Sequence, residues 1–119
     1  MVKGAALGIA AAVGSWSGIE AHPRRFGGTE YRFRGREIGH VHGDALVDLP
    51  FPVRLRDELI TAGRAEPHHI LPETGWVSRH LRLPEDVEAA IALFRLQYER
   101  LAAEAAPPAA PIEPPPSAR

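Results

Sequence analysis

Residues 29–42, TEYRFRGREIGHVH, decide the fold because they form two strand-like runs around one turn. Thr29 to Phe33 alternates polar with aromatic side chains, which is the period of a strand with one buried face. Arg36 to His42 predicts the returning strand of a hairpin whose turn is centred on Arg34-Gly35. The sequence therefore indicates an antiparallel pair at the centre of the domain.

The register of this hairpin predicts which side chains face the core. With a two-residue turn, Tyr31 lies opposite Ile38 and shares a buried face with Phe33. A period of two residues then carries His40 and His42 to the same side as Ile38. Polar rings on that side need hydrogen-bonding partners or a position at the open end of the sheet.

The remaining elements are predicted outward from the hairpin. A stripe at helical spacing predicts a helix over 84–104, and it consists of Val87, Ile91, Phe94, Tyr98 and Leu101. Further predictions are helices over 2–15 and 52–62, a strand from Ala45 to Leu49, and a second hairpin from strands His68 to Leu71 and Trp76 to Leu81. The fold class is α+β, an antiparallel sheet of about five strands with three helices in the order α-β-β-β-α-β-β-α.

Length and charge limit the function. The chain has 119 residues and no cysteine, which predicts one domain over 1–104 and excludes thiol chemistry and large barrel scaffolds. A net charge of −1 gives no reason to expect a nucleic-acid or membrane partner. Residues 105–119 are mostly proline and alanine and are predicted to be a disordered tail. Its Pro114-Pro115-Pro116 segment favours an extended helix, the conformation that aromatic-lined grooves of partner proteins bind.

The first residues allow two interpretations. Lys3 followed by the apolar run from Gly4 to Gly14 has the character of a secretory signal. The spacing of Ala6, Ile9 and Val13 instead favours an ordinary amphipathic helix, which we prefer. We therefore expect a cytoplasmic protein, with export as the alternative.

Histidines form the group with metal-ligand character. His40 and His42, with Asp44 nearby, sit at strand spacing, which puts both imidazoles on one side as zinc and iron sites require. His68-His69 supplies two further imidazoles. Three interpretations stay open: a divalent metal site, a polar ligand pocket without metal, and a purely structural cluster.

Three other features are given structural interpretations. Trp76 is either a pocket wall or a core anchor, and the core is the default for so large a ring. Asp48 to Pro52 favours a rigid joint between a strand and a helix. Ser78 lacks the surroundings of a nucleophile, so no hydrolase triad is expected.

A series of short motifs follows in fixed order between Trp16 and Arg100. They are His22-Pro23 with RFGG at 25–28, REIGHVHG at 36–43, DLPFP at 48–52, RDEL at 56–59, HHILP at 68–72, GWVS at 75–78, Asp86-Val87 and Tyr98-Glu99-Arg100. Together they resemble the luciferase domain family, small bacterial, fungal and plant proteins. The family pattern more often has histidine at the place of Arg24 and an aromatic residue at that of Arg79.

The resemblance implies a luciferase-family domain without implying light emission. The leading hypothesis is a domain that binds a small ligand or a protein partner through His40, His42, Asp44, His68, His69 and Trp76. The alternative is a metal-dependent enzyme using His40, His42, His68 and His69. No organic cofactor is expected.

Overall fold

The computed structural model describes residues 1–105, so the predicted tail lies outside the described residues apart from Ala105. The predicted α+β class and element order are confirmed, with six strands in place of about five. The helices are α1 (Ala5–Val13), α2 (Val53–Thr61) and α3 (Pro84–Ala105). The strands are β1 (Ile19–Pro23), β2 (Thr29–Phe33), β3 (Arg36–His42), β4 (Leu46–Pro50), β5 (Glu66–Pro67) and β6 (Trp76–His80).

The strands form one antiparallel sheet in the order β1-β2-β3-β4-β6-β5. The sequence did not predict strand β1, because Ile19 is its single large aliphatic residue and the strand ends on Pro23. Such a strand shows no alternation of buried and exposed side chains. Pairing with β2 places it at the edge of the sheet, where proline is tolerated.

The strand predicted from His68 to Leu71 is wrong. Strand β5 ends at Pro67, and residues 68–71 form a loop with a bend at residues 69–70 instead. The His68 ring explains the difference, since its Nδ1 accepts the backbone N–H groups of Ile70 and Leu71 at 3.1 and 3.0 Å. A side chain that satisfies the local donors removes the need for a sheet partner.

A β-bulge corrects the predicted register of the first hairpin. Tyr31 pairs with Gly39 rather than with Ile38, because the register shifts between Tyr31 and Arg32. The extra residue reverses the alternation, so Ile38 stays in the apolar core while the histidines after it face the other way. The predicted placement of His40 and His42 on the core side is therefore wrong.

Two helices cover one face of the sheet. Phe94 of α3 is fully buried and meets the Tyr31 ring edge-on, with ring centroids 5.7 Å apart. Ile9 and Val13 of α1 are equally buried, so the segment with the character of a signal is a helix of the core. Helix α1 starts later than the predicted 2–15 because Gly4 before it has a left-handed φ of 83°, and it ends at Val13.

Helix α2 joins β4 to β5. It follows Pro52 and ends before Gly63, whose φ of 73° gives the left-handed turn that commonly ends a helix. In the described part of the chain, no helix is both long and apolar enough to cross a membrane. The location of the protein in the cell stays a prediction.

Candidate functional site

The face of the sheet turned away from α3 is polar. Residues directly opposite each other on neighbouring strands share a face, and His40 pairs with Asp48, which pairs with Ser78. The neighbouring residues Val41, Val47 and Val77 lie in the apolar core instead. We call the group formed by His40, His42, Asp48, His68 and Ser78 the Asp48 cluster.

Asp48 is the centre of this cluster, with a side chain that is 1% exposed. Its Oδ1 accepts the Ser78 hydroxyl at 2.5 Å, and its Oδ2 lies 2.8 Å from Nε2 of His42. The Nε2 atoms of His40 and His68 lie 3.4 and 3.5 Å from the same Oδ2. Four polar groups from three segments of the chain thus converge on one carboxylate.

His40 is held by two carboxylates. Its Nδ1 donates to Oε2 of Glu37 at 2.5 Å, while its Nε2 faces Asp48. Burial lowers the pKa of His40, but the hydrogen bonds to Asp48 and Glu37 outweigh it and raise the pKa to about 9. Although burial alone would raise the pKa of Asp48, its hydrogen bonds to His40, Ser78 and His42 hold it well below the ordinary value.

His68 is held in a different protonation state. Because Nδ1 accepts two backbone N–H groups, it carries no proton, and the neutral ring has its proton on Nε2, facing Asp48. Burial lowers the pKa of His68, which agrees with a neutral ring. The hydrogen bonds thus favour a charged ring at His40 and a neutral ring at His68.

A cavity of about 330 Å³ opens above the cluster. Its wall residues are Arg24, His40, His42, Asp48, His68, His69, Ile70, Leu71 and Trp76. The His42 side chain is 45% exposed. Its imidazole, which is bonded to the buried carboxylate of Asp48, therefore faces the cavity. Trp76 lies against the rings of His40 and His68, with centroids 5.3 and 6.0 Å away, and belongs to this wall rather than to the apolar core.

Asp44 is the predicted site residue that lies elsewhere. Its carboxylate accepts the backbone N–H groups of Gly4 and Ala6 at 3.1 and 2.8 Å, at the start of α1. These two bonds lower the pKa of Asp44. An acceptor at a helix start satisfies donors that have no partner within the helix, which is a structural role.

The sequence model of the luciferase domain matches residues 35–97, more than half of the chain. This chain belongs to the luciferase domain family. The matched part of the luciferase domain includes every member of the Asp48 cluster, together with Glu37 and Trp76. Comparison with curated proteins and with solved structures gave no match.

Asp48 and Glu37 are members of the site that the sequence did not predict. The signal at Asp48 is a carboxylate between Val47 and Leu49, since a charge inside an apolar strand needs partners. The strand-to-helix joint predicted for this stretch is present as well, because β4 ends at Pro50 and α2 follows. Ser78 bonds to Asp48 and is fully buried, which leaves it no access to a substrate.

Arg24 is the departure from the family pattern that falls at the site. It lies before the matched residues, in the segment between β1 and β2, and lines the cavity. Its Nη1 lies 2.9 Å from Glu30 and 3.8 Å from Glu37, the carboxylate that holds His40. The guanidinium therefore stands beside the cluster, at a position where the resemblance described above leads us to expect histidine.

Proposed function

We propose that this luciferase-family domain binds a small aromatic molecule in the cavity above the Asp48 cluster. The observation that carries the proposal is the half-exposed His42 ring, fixed by a buried carboxylate and facing a cavity with apolar walls. Ligand sites combine these two properties, an apolar lining and a few polar groups held in one orientation.

The walls fit a flat apolar body. Trp76 supplies an aromatic surface, and Ile70 and Leu71 are exposed apolar side chains at the rim, Ile70 with 70% of its surface in solvent. The cavity volume of about 330 Å³ lies at the lower end of the range for small-molecule sites, which is about 300 to 1,000 Å³. Because the lining is concave, it favours a small ligand over a protein partner.

The polar side chains at the bottom of the cavity, His42 and Asp48, determine which hydrogen-bonding group a ligand needs. Nε2 of His42 is engaged by Asp48 and donates to it when the ring is neutral. Nδ1 of the same ring is then an acceptor, which favours a ligand with an N–H or O–H donor. We therefore expect an aromatic molecule with one donor to bind more tightly than its methylated analogue.

A nuclear magnetic resonance titration of the full chain with benzamide, in buffer containing EDTA, tests this function. At about 0.4 kcal/mol per non-hydrogen atom, a ligand of this size has a Kd of a few millimolar. We expect saturable shifts of the backbone amide signals of residues 40–48 and 68–76, and weaker shifts with N,N-dimethylbenzamide.

Trp76→Leu and Trp16→Leu form a matched pair of variants, because Trp16 packs on Tyr98 of α3 at 5.3 Å. We expect Trp76→Leu to weaken benzamide binding about fivefold and Trp16→Leu to leave it unchanged, since an aromatic contact contributes about 1 kcal/mol. Equal effects of the two substitutions, or shifts that never saturate, would refute the proposed site.

A further inference from the structure

We infer that the floor of this cavity is a binding site for a divalent transition-metal ion, with His40, His42 and Asp48 as its ligands. The ligand atoms are Nε2 of each histidine and Oδ2 of the aspartate. Two imidazoles and one carboxylate are a donor set that zinc and iron accept. The inference stands apart from the proposed function, because an organic ligand can occupy the cavity with or without the ion.

The distances suit a shared ion. Ligand atoms about 2.0 to 2.2 Å from one metal, at tetrahedral or octahedral angles, lie about 2.8 to 3.6 Å from each other. Oδ2 of Asp48 lies 2.8 Å from Nε2 of His42 and 3.4 Å from Nε2 of His40. All three ligand atoms lie within 4.8 Å of one another, so a small movement of the exposed His42 ring completes the geometry.

Glu37 supplies the support that a metal-binding histidine needs. Its carboxylate accepts the Nδ1 proton of His40 at 2.5 Å, so the proton that a metal ion displaces is the one on Nε2, the atom that faces Asp48. A carboxylate behind an imidazole fixes the ring orientation and strengthens the metal bond. Glu37 is thus a positioning residue for His40.

The hydrogen bonds exclude His68 from the ligand set. Asp48, His68 and His69 also lie close enough together to hold an ion. However, Nδ1 of His68 already accepts two backbone N–H groups, which confines the proton of the neutral ring to Nε2, the atom that faces Asp48. The neutral His42 ring can instead carry its proton on Nδ1 and bind the ion through Nε2. The four-histidine site predicted from the sequence is therefore replaced by a site of two histidines and one aspartate.

Equilibrium dialysis of the untagged full chain against Zn²⁺ tests the inference. We expect one ion per chain with a Kd below about 100 μM. His42→Ala removes a ligand from an exposed position, and we expect it to weaken binding about 100-fold or more. Glu37→Gln should weaken binding about 10- to 100-fold, as loss of a supporting carboxylate does.

Two controls separate this site from general histidine binding. His22→Ala changes an exposed histidine of β1 and should leave the affinity for Zn²⁺ unchanged. His68→Asn keeps an acceptor for the N–H groups of Ile70 and Leu71, and we expect an affinity within about threefold of wild type. Circular dichroism and urea unfolding of each variant show that the fold is retained.

Two results would overturn the inference: no saturable binding by the wild-type chain, or an equal loss in His68→Asn and His42→Ala. Because the benzamide titration is run in EDTA, it gives its answer without the ion. The metal site and the organic ligand site can therefore fail separately.

Discussion

The two faces of one sheet have opposite chemistry although the same strands build both. Towards α3, strands β3, β4 and β6 present Val41, Val47, Leu49 and Val77, which are nearly or fully buried. On the other face the intervening residues His40, Asp48 and Ser78 form a chain of hydrogen bonds beside an open cavity. The apolar face supplies the packing that stabilises the domain, and the polar face carries the candidate site.

A single extra residue in β3 sets which face each side chain takes. Without the bulge beside Gly39, the histidines of β3 would point into the core. With it, Glu37 and His40 lie on one face and bond to each other, although they are three positions apart in the sequence. The position of the site therefore depends on backbone geometry more than on the spacing of the histidines.

Phe94→Ala should have the largest effect on the helix face. The ring is fully buried against Tyr31, so its removal leaves a cavity that costs about 3 to 5 kcal/mol in the free energy of unfolding. Urea unfolding measures the loss. Leu7→Ala, at a residue of α1 that is 78% exposed, is the control and should change stability by less than about 0.5 kcal/mol. Similar values for the two variants would place the core elsewhere.

Gly39→Ala should disturb both faces at once. Gly39 has a φ of 154°, and a Cβ there would lie 2.7 Å from Cε1 of Phe94 and 2.9 Å from the Asp48 carbonyl oxygen. We expect a loss of about 2 to 4 kcal/mol from backbone strain and overpacking.

Gly35→Ala is the matched control for that substitution. Gly35 also has a positive φ, but no atom lies within 4 Å of its added Cβ. Its cost should be about 1 kcal/mol, from conformation alone. An equal cost in the two variants would contradict the close approach of α3 to the bulge.

Asp48→Asn tests the polar face and should cost about 1 to 3 kcal/mol in urea unfolding at pH 7. The amide keeps one acceptor for Ser78 but cannot accept the bonds of the surrounding histidines as a carboxylate does. Asp57→Asn, at a side chain that is 60% exposed, should be close to neutral. A neutral Asp48→Asn would mean that the cluster contributes nothing to stability.

The smallest effect is expected at the start of α3, where Asp86 accepts the backbone N–H groups of Arg82 and Leu83. The bond from Leu83, with that from Arg79, lowers the pKa of Asp86 to about 2. The stabilisation is therefore complete above about pH 5 and is lost as the pH falls through 2. Asp86→Asn should cost about 1 kcal/mol at pH 7.

The pH dependence of that cost is the decisive observation. Urea unfolding of both chains should show the difference between wild type and Asp86→Asn shrinking as the pH falls from 5 to 2. A difference that stays constant over this range would show that the charge of Asp86 contributes nothing to the start of the helix.

Sequence patterns predicted the elements that alternate strongly. The runs at Thr29–Phe33 and Arg36–His42 are the observed strands β2 and β3, and the helix from Pro84 has the expected start. Its buried face is wider than the predicted stripe, since Ala90, Leu93 and Gln97 are buried as well. The buried face of α3 is wide because this helix packs against two neighbours, the sheet and α1.

The candidate site was harder to predict because its key bonds join distant segments. The histidines and Trp76 were found by residue type, and the structure brings them together around one cavity. Asp48 was assigned to a joint, since nothing local reveals that His42 and His68 meet its carboxylate. The glycine inside the strand pattern, Gly39, is a sequence signal of the bulge that decides which face carries the site, and the predicted register did not use it.

The most direct test of the central claim, that ligands bind on the sheet face that carries the Asp48 cluster, uses the chain's two tryptophans. Trp76 lies in the cavity wall and Trp16 on the helix side, so their two indole N–H signals mark the two sides of the sheet. In one benzamide titration of the wild-type chain, we expect the Trp76 signal to shift saturably and the Trp16 signal to stay in place. A Trp16 signal that shifts alone, or both signals shifting in parallel without saturation, would contradict the account.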